Sequence, residues 1–129
     1  MSNYNVERFI LKNLQYNFEI FSGKSISISL DDSINILDIK DKHLLLSVTR
    51  ELSVKPNVDS YVKINCEVSV SFENEINRDI VMEALRNNSI NLISVFSKIS
   101  LLMTQITNLS PFGIIVTPPT YDPRNTTFN

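Results

Sequence analysis

The stretch from Asn88 to Asp122 is almost free of charge, and this feature restricts the fold more than any other. Its only charged residue before Asp122 is Lys98. Apolar residues recur there at i, i+3, i+4 and i+7 spacing, which predicts one long helix over about Ile90–Leu109. The other side of that helix carries neutral polar groups: Asn91, Ser94, Ser97, Ser100, Thr104, Gln105 and Thr107.

A helix without a charged face is expected to be covered on more than one side. Either the sheet of its own domain and a partner subunit share the helix, or the helix crosses a membrane. The membrane alternative is disfavoured because Lys98, Gln105 and the repeated hydroxyl groups are too polar for a span. We therefore expect no membrane insertion.

Alternation of apolar and polar residues predicts four antiparallel strands before this helix. The clearest strand covers Val62–Phe72, whose alternate side chains are apolar. In the first strand a shift of phase within Phe9–Leu14 suggests a bulge. An amphipathic helix over Val6–Tyr16 is the alternative for that segment. In the second strand, Asp31–Ser33 predicts a turn or bulge.

Two helices and an extended tail follow the strands. Asn77 is placed to cap a short helix that ends near Arg86, and Ser89 is placed to cap the long one. Pro118 and Pro119 keep the chain extended, and residues 123–129 are expected to form a loose polar tail. The prediction is one α+β domain, residues 1–129: a four-stranded antiparallel sheet (about 4–72), one short and one long helix on one face (about 77–109), and a tail (110–129).

Charge and cysteine content exclude several classes of protein. A net charge of -2 over 129 residues leaves no basic patch, so nucleic acid is not an expected partner. Cys66 is the only cysteine, which excludes an internal disulfide and favours a cytoplasmic location. Met1–Glu7 lacks the basic and apolar regions of a secretory signal. The two glycines, Gly23 and Gly113, are too far apart for a phosphate-binding loop.

No set of residues with catalytic spacing is present. His43 is expected at a surface or strand edge, and Cys66 as a buried, inert thiol. Asp31 and Asp32 lack the ligand spacing of a calcium loop and are expected in a solvated turn. We expect no enzyme activity, no metal and no cofactor. What remains is apolar surface near loops, which indicates a protein that binds other polypeptide chains.

At this point the chain resembles the SecB family of export chaperones. The resemblance extends over about Tyr4–Asp122, nearly the whole chain. Four segments carry it: Val6–Phe9 with Lys12 and Asn13; Leu45–Glu51; Ile64–Val68; and Ser110–Phe112 with Pro118–Asp122. In the family, the last segment follows the long helix and places a proline before an aromatic-acidic pair.

The resemblance implies a four-stranded sheet with a long helix, assembled as a homodimer or as a homotetramer made from two dimers. The helices lie between the sheets in such an assembly, which fits the uncharged helix. We expect this interface to include Phe96, Lys98, Ile99 and Met103.

The resemblance also implies a holdase that binds unfolded polypeptide in long apolar grooves. The grooves are lined by the loop between the first two strands, the second strand and the segment after the long helix. In this chain the corresponding client-binding residues are Ile20, Phe21, Ile26, Ile28, Phe112, Ile114, Val116 and Tyr121.

Acidic residues on the outer sheet face of the family dock the translocase motor SecA. Glu67 matches one such position, and Glu19 matches another after a two-residue shift. Asn13 stands where an acidic residue is expected, and Pro123 follows where the family has a further helix. General export and service to one client, such as an antitoxin, therefore stay open. The alternative from another class is an adaptor that binds one folded partner.

Overall fold

The structure is a computed structural model that describes residues 3–18, 27–55 and 58–129. Its main feature is a sheet with four long strands, β1 (Tyr4–Tyr16), β2 (Ser27–Lys40), β3 (His43–Lys55) and β4 (Val58–Phe72). The pairs β1–β4, β4–β3 and β3–β2 are all antiparallel. A short fifth strand, β5 (Thr126–Phe128), runs parallel to β2, so the order is β1-β4-β3-β2-β5. The predicted α+β class and four antiparallel strands are confirmed, with one strand added.

The first segment is a strand and not an amphipathic helix. Its pairing with β4 shifts register between Val6 and Arg8 and again between Leu11 and Asn13. The second shift lies where the alternation of apolar residues changes phase. The predicted bulge is therefore confirmed.

The second strand does not turn at Asp31–Ser33, so that prediction is wrong. β2 stays paired with β3 through these residues, and its register shifts only between Ile36 and Asp38. The reason is that the carboxylate of Asp32 is buried in an ion pair with Arg50 on β3. A side chain typical of turns is held in a sheet by a partner that local sequence patterns do not show.

Both helices contribute to the same apolar core as one face of the sheet. α1 (Arg78–Arg86) begins as predicted, with the side chain of Asn77 accepting a hydrogen bond from the Ile80 amide at 2.9 Å. α2 (Ile93–Thr107) is shorter than predicted, and Ser89 does not cap it. The residue before it, Leu92, has a φ of +50°. No helix in the described part of the chain is both long and apolar enough to cross a membrane.

The C-terminal segment is ordered, so the prediction of a loose tail is wrong. Residues 115–121, named the strap below, run back along α2 toward its start. A short 3-10 helix (Pro123–Asn125) and β5 follow. The amide of Asn129 donates to the Ile34 carbonyl at 3.1 Å, and its own carbonyl accepts from the Ile36 amide at 2.8 Å. The edge of β2 thus supplies backbone partners for a segment that looks solvated from composition alone.

Candidate functional site

The end of the sheet where β1 stops and β2 starts carries a cluster of aromatic rings, four of which belong to described residues. Tyr16 and Phe18 lie 5.0 Å apart, Phe18 and Tyr61 4.9 Å, and Tyr61 and Phe112 6.1 Å between ring centroids. β1 ends and β2 begins at this same end of the sheet, with β4 and β3 between them. The tyrosine at the centre of the cluster, Tyr61, is fully buried, and its hydroxyl has no hydrogen-bond partner in the part of the chain that the structure describes.

Exposed apolar side chains continue from this cluster along the chain that follows α2. Leu109, Ile114 and Val116 are 81%, 57% and 75% exposed, and Phe112 is 39% exposed. Ile115 and Thr117 alternate with them and point inward. Such a row of large apolar side chains in water is unusual for a stable monomer surface and typical of a surface that binds another chain.

The inward side of the same segment is held by the hydroxyl groups of α2. The Ile115 amide donates to the Thr107 hydroxyl at 2.9 Å, and the Ser100 hydroxyl donates to the Thr117 carbonyl at 2.6 Å. Thr107 and Ser100 belong to the neutral polar face of α2 that the sequence shows. The strap therefore covers part of that face, and the main chain that presents Ile114 and Val116 is fixed.

Arg50 fastens the strap to the sheet. It lies in the inward row of β3, and none of its side chain is exposed. Its Nε and Nη2 donate to the two carboxylate oxygens of Asp32 at 2.7 and 2.8 Å. Nη1 donates to the Thr117 hydroxyl and the Pro118 carbonyl, and Nη2 also donates to the Thr120 carbonyl at 3.0 Å. All five N–H groups of the guanidinium are thereby satisfied.

Tyr121 is placed differently from the other predicted client-binding residues. It is 2% exposed, and its hydroxyl lies 2.7 and 2.6 Å from the carbonyl oxygens of Leu85 and Ile90. Its ring contacts that of Phe96 at 5.3 Å. Burial raises the pKa of the Tyr121 phenol above its ordinary value, and electrostatic repulsion between ionised Tyr121 and Tyr4 adds to the effect. Tyr121 thus anchors the strap and is not available on the surface, which corrects its assignment to a client-binding groove.

The remaining predicted client-binding residues fall into two groups. Phe112, Ile114 and Val116 are brought together on one exposed segment, and Ile28 is 48% exposed near the start of β2 at the same sheet end. Ile20, Phe21 and Ile26 lie outside the described residues. The sequence reasoning missed Leu109 and did not place Tyr16 and Phe18 in the cluster.

The predicted interface residues of α2 differ in their exposure to solvent. Phe96, Ile99 and Met103 are fully buried in the core of this chain, whereas Lys98 is exposed with its ammonium 5.3 Å from the centre of the Phe9 ring. The three buried side chains are therefore not accessible to a second subunit, which corrects that part of the prediction. Two other apolar residues of α2, Ile93 and Leu101, are exposed. An interface on this helix would contain them.

Glu67 lies on the outer face of the sheet, as predicted. Its carboxylate is 3.5 Å from the ammonium of Lys12 on β1, and both side chains are partly exposed. Glu19 lies outside the described residues. A SecA-docking role of these two residues stays a prediction.

Two side chains that could carry chemistry, Cys66 and His43, lie apart on the sheet, opposite Val48 and Ser71. Cys66 is buried, and burial raises the pKa of its thiol to about 11, so it is protonated at neutral pH. His43 is exposed at the start of β3. No group of three or more metal-binding side chains occurs within the described ranges. The apolar surface is thus the best-supported candidate site.

The fold and the site together describe a two-layer α+β protein with an exposed apolar surface at one end of its sheet. The SecB-like chaperone Rv1957 of Mycobacterium tuberculosis, solved with a ChAD peptide from the HigA1 antitoxin Rv1956, superposes with a TM-score of 0.69. The match covers 89% of this chain and 88% of that one at 7% identity. This chain therefore has a SecB-like fold.

A protein of unknown function from Streptococcus agalactiae gives a TM-score of 0.44 at 10% identity over 92% of this chain and 98% of that one. No family model matches the sequence. No curated protein matches it either.

Proposed function

We propose that this chain is a chaperone that holds extended, non-native segments of polypeptide on the apolar surface at the sheet end. The observation that carries the proposal is the exposed row of Leu109, Phe112, Ile114 and Val116 beside the aromatic cluster. Hydrogen bonds to Thr107 and Ser100 hold Ile115 and Thr117, so the backbone around Ile114 and Val116 is already ordered before a client binds. A pre-organised surface loses less affinity to ordering than a mobile one.

The affinity for a client would depend on the apolar area that becomes buried and not on specific polar contacts. Burial of about 1,000 Å² of apolar surface supplies roughly 25 kcal/mol before costs, and ordering of the client offsets most of it. Nothing in this mechanism requires a nucleotide or a metal. The same surface accepts different sequences, provided that they present apolar side chains in an extended backbone.

A single dedicated client is the form of this function that the comparison favours. The SecB-like neighbour of known structure holds a peptide from an antitoxin. We propose that this chain likewise binds a segment of one or a few partner proteins. Export through SecA and a cytoplasmic location stay predictions from the sequence.

Self-association through α2 is part of the same proposal. Ile93 and Leu101 are 50% and 59% exposed on one helix, and Lys98 lies between them in sequence. Burial of these apolar side chains against a second copy of the chain would remove them from water and stabilise the assembly. Light scattering would show a dimer or tetramer, and Leu101→Glu would shift the mass toward the monomer. An unchanged mass in that variant would place the interface elsewhere.

The chaperone function is tested by aggregation of a reduced, unfolded protein followed by turbidity. Val116→Ser and Phe112→Ser should each weaken client binding roughly tenfold or more, because each removes about 1.5–3 kcal/mol of apolar burial in the complex. Ile80→Ser is the matched control, since Ile80 is also exposed but lies on α1. The proposal fails if all three variants protect the client equally well.

A further inference from the structure

Strand β5 covers only part of the outer edge of β2. Thr126–Phe128 pair with Asp32–Ile34, and Asn129 extends the pairing to Ile36. No described residue pairs with Ser27–Asp31 on this side of the strand. An edge strand of this kind presents unpaired N–H and C=O groups that can accept a further extended chain.

The attachment of the C-terminal segment changes abruptly at Asp122. Up to Tyr121 the chain is held by buried contacts, with Arg50 and the Tyr121 hydroxyl at their centre. Beyond it, the side chains of Arg124, Asn125, Thr127 and Asn129 are exposed. Phe128 packs partly against the core, with its ring 6.1 Å from that of Tyr121 and 6.0 Å from the Arg86 guanidinium. The β5 segment is thus held by its pairing with β2, the bond from the Asn129 side chain to that of Asn35, and the Phe128 ring, whereas the strap is held by buried contacts.

We propose that the outer edge of β2 is a docking site for an extended segment of non-native polypeptide, and that β5 is its internal occupant. A client strand pairs with β2 after it displaces Thr126–Asn129. This inference rests on the proposed function, because the strand that displaces β5 belongs to the client. It adds a second mode of contact, by backbone hydrogen bonds, to the apolar surface described above.

The sequence of the occupant indicates which client segments fit. Thr126–Asn129 has no charged side chain and contains two β-branched residues and one aromatic ring. Phe128 stands opposite Ile34, which is fully buried on the core face of β2. A client strand would therefore be uncharged and extended, with a large apolar side chain at the position of Phe128. Ile28, exposed on the unpaired part of the same edge strand, offers a further apolar contact.

A reversible cross-link tests the displacement directly. Ser33 and Thr127 are directly opposite in the β2–β5 register, so Ser33→Cys with Thr127→Cys can form a disulfide that locks β5 onto the edge. The buried Cys66 is not expected to interfere. The control lock is Leu45→Cys with Ser69→Cys, a directly paired position of β3 and β4 away from this edge.

Binding is measured with fluorescently labelled, reduced and carboxymethylated α-lactalbumin, which has no free thiols. We expect the oxidised β5 lock to bind at least about tenfold more weakly than its reduced form, and the control lock to bind equally well in both states. If β5 occupies the edge about 90–99% of the time, a chain that ends at Asn125 should bind roughly ten- to a hundredfold more tightly than the full chain. Equal binding by the oxidised and reduced β5 lock would overturn the proposal and leave the chaperone function intact.

A second probe separates failure of this proposal from failure of the chaperone function. The labelled heptapeptide Pro123–Asn129 should bind the shortened chain and should not bind the oxidised β5 lock. If the heptapeptide binds in this way while no form of the chain binds α-lactalbumin, the edge is a strand-docking site and the chaperone function is wrong. If the heptapeptide does not bind the shortened chain, the edge proposal is wrong, whatever the result with α-lactalbumin.

Discussion

Replacement of Arg50 by leucine should be among the most destabilising single changes to this chain. The substitution leaves Asp32, which is 8% exposed, without its ion-pair partner, and it removes the donors to the Pro118 and Thr120 carbonyls. Removal of one member of a buried ion pair typically costs about 3–5 kcal/mol, because the other charge stays buried without compensation. The total free energy of unfolding of a domain of this size is roughly 5–15 kcal/mol. Arg50→Leu is therefore expected to remove a large part of the free energy of unfolding.

The measurement is urea unfolding followed by far-ultraviolet circular dichroism. With a slope of about 1–3 kcal/mol per molar urea, the midpoint should fall by roughly 1–5 M. The double variant Arg50→Leu with Asp32→Leu removes both charges and should recover part of the loss. Lys63→Met is the control, because its ion pair with Glu51 is long at 3.9 Å and partly exposed, so its loss should cost no more than about 1 kcal/mol. The reasoning would be refuted if Arg50→Leu lowered the free energy of unfolding by less than about 1 kcal/mol. It would also be refuted if the double variant were less stable than Arg50→Leu.

The remaining predictions concern the buried side chains of Tyr121, Tyr61 and Cys66. Tyr121→Phe should lower the free energy of unfolding by about 1–3 kcal/mol, because the buried Leu85 and Ile90 carbonyls lose the hydroxyl group that they share. Tyr61→Phe should leave that free energy unchanged or raise it, because the buried Tyr61 hydroxyl has no hydrogen-bond partner among the described residues. Thermal unfolding of the two variants compares them, and an equal loss in both would contradict this difference. The Cys66 thiol, with its pKa raised to about 11, should react with iodoacetamide far more slowly than a free thiol. Because the unfolded thiol loses its proton near its ordinary pKa and the folded one does not, stability should fall as pH rises from about 9 to 11. Rapid alkylation in native conditions would contradict the burial.

The sequence predicts the strands and helices because their signals are local. The alternation in β4 and the Asn77 cap of α1 each depend on residues close in the chain, and both are confirmed. The uncharged face of α2 predicts that the sheet and a partner subunit share the helix, and the partner stays a prediction. What covers part of that face is the strap of the same chain, bound to Ser100 and Thr107, and local patterns do not show which distant segment supplies such a cover.

The features that sequence reasoning missed all depend on contacts between distant residues. Arg50 is a single charge between the apolar Val48 and Leu52 in an inward row, and this interruption is the signal that was available for a buried ion pair. Its partners lie 18 residues away in Asp32 and 67 residues away in Thr117. Neither separation follows from periodicity. β5 also pairs with residues far back in the chain, so its sequence alone predicts only a polar tail.

The strand order has a consequence for the path by which the chain folds. β2, β3 and β4 are joined by short connections and form a meander of local contacts, whereas β1 pairs with β4 and β5 pairs with β2 across long separations. Long loops close slowly, so local pairs are expected to form first. The meander should therefore be the folding nucleus, and both edges of the sheet are completed last by the two termini. Hydrogen exchange should accordingly be slowest in β3 and β4 and fastest in β5.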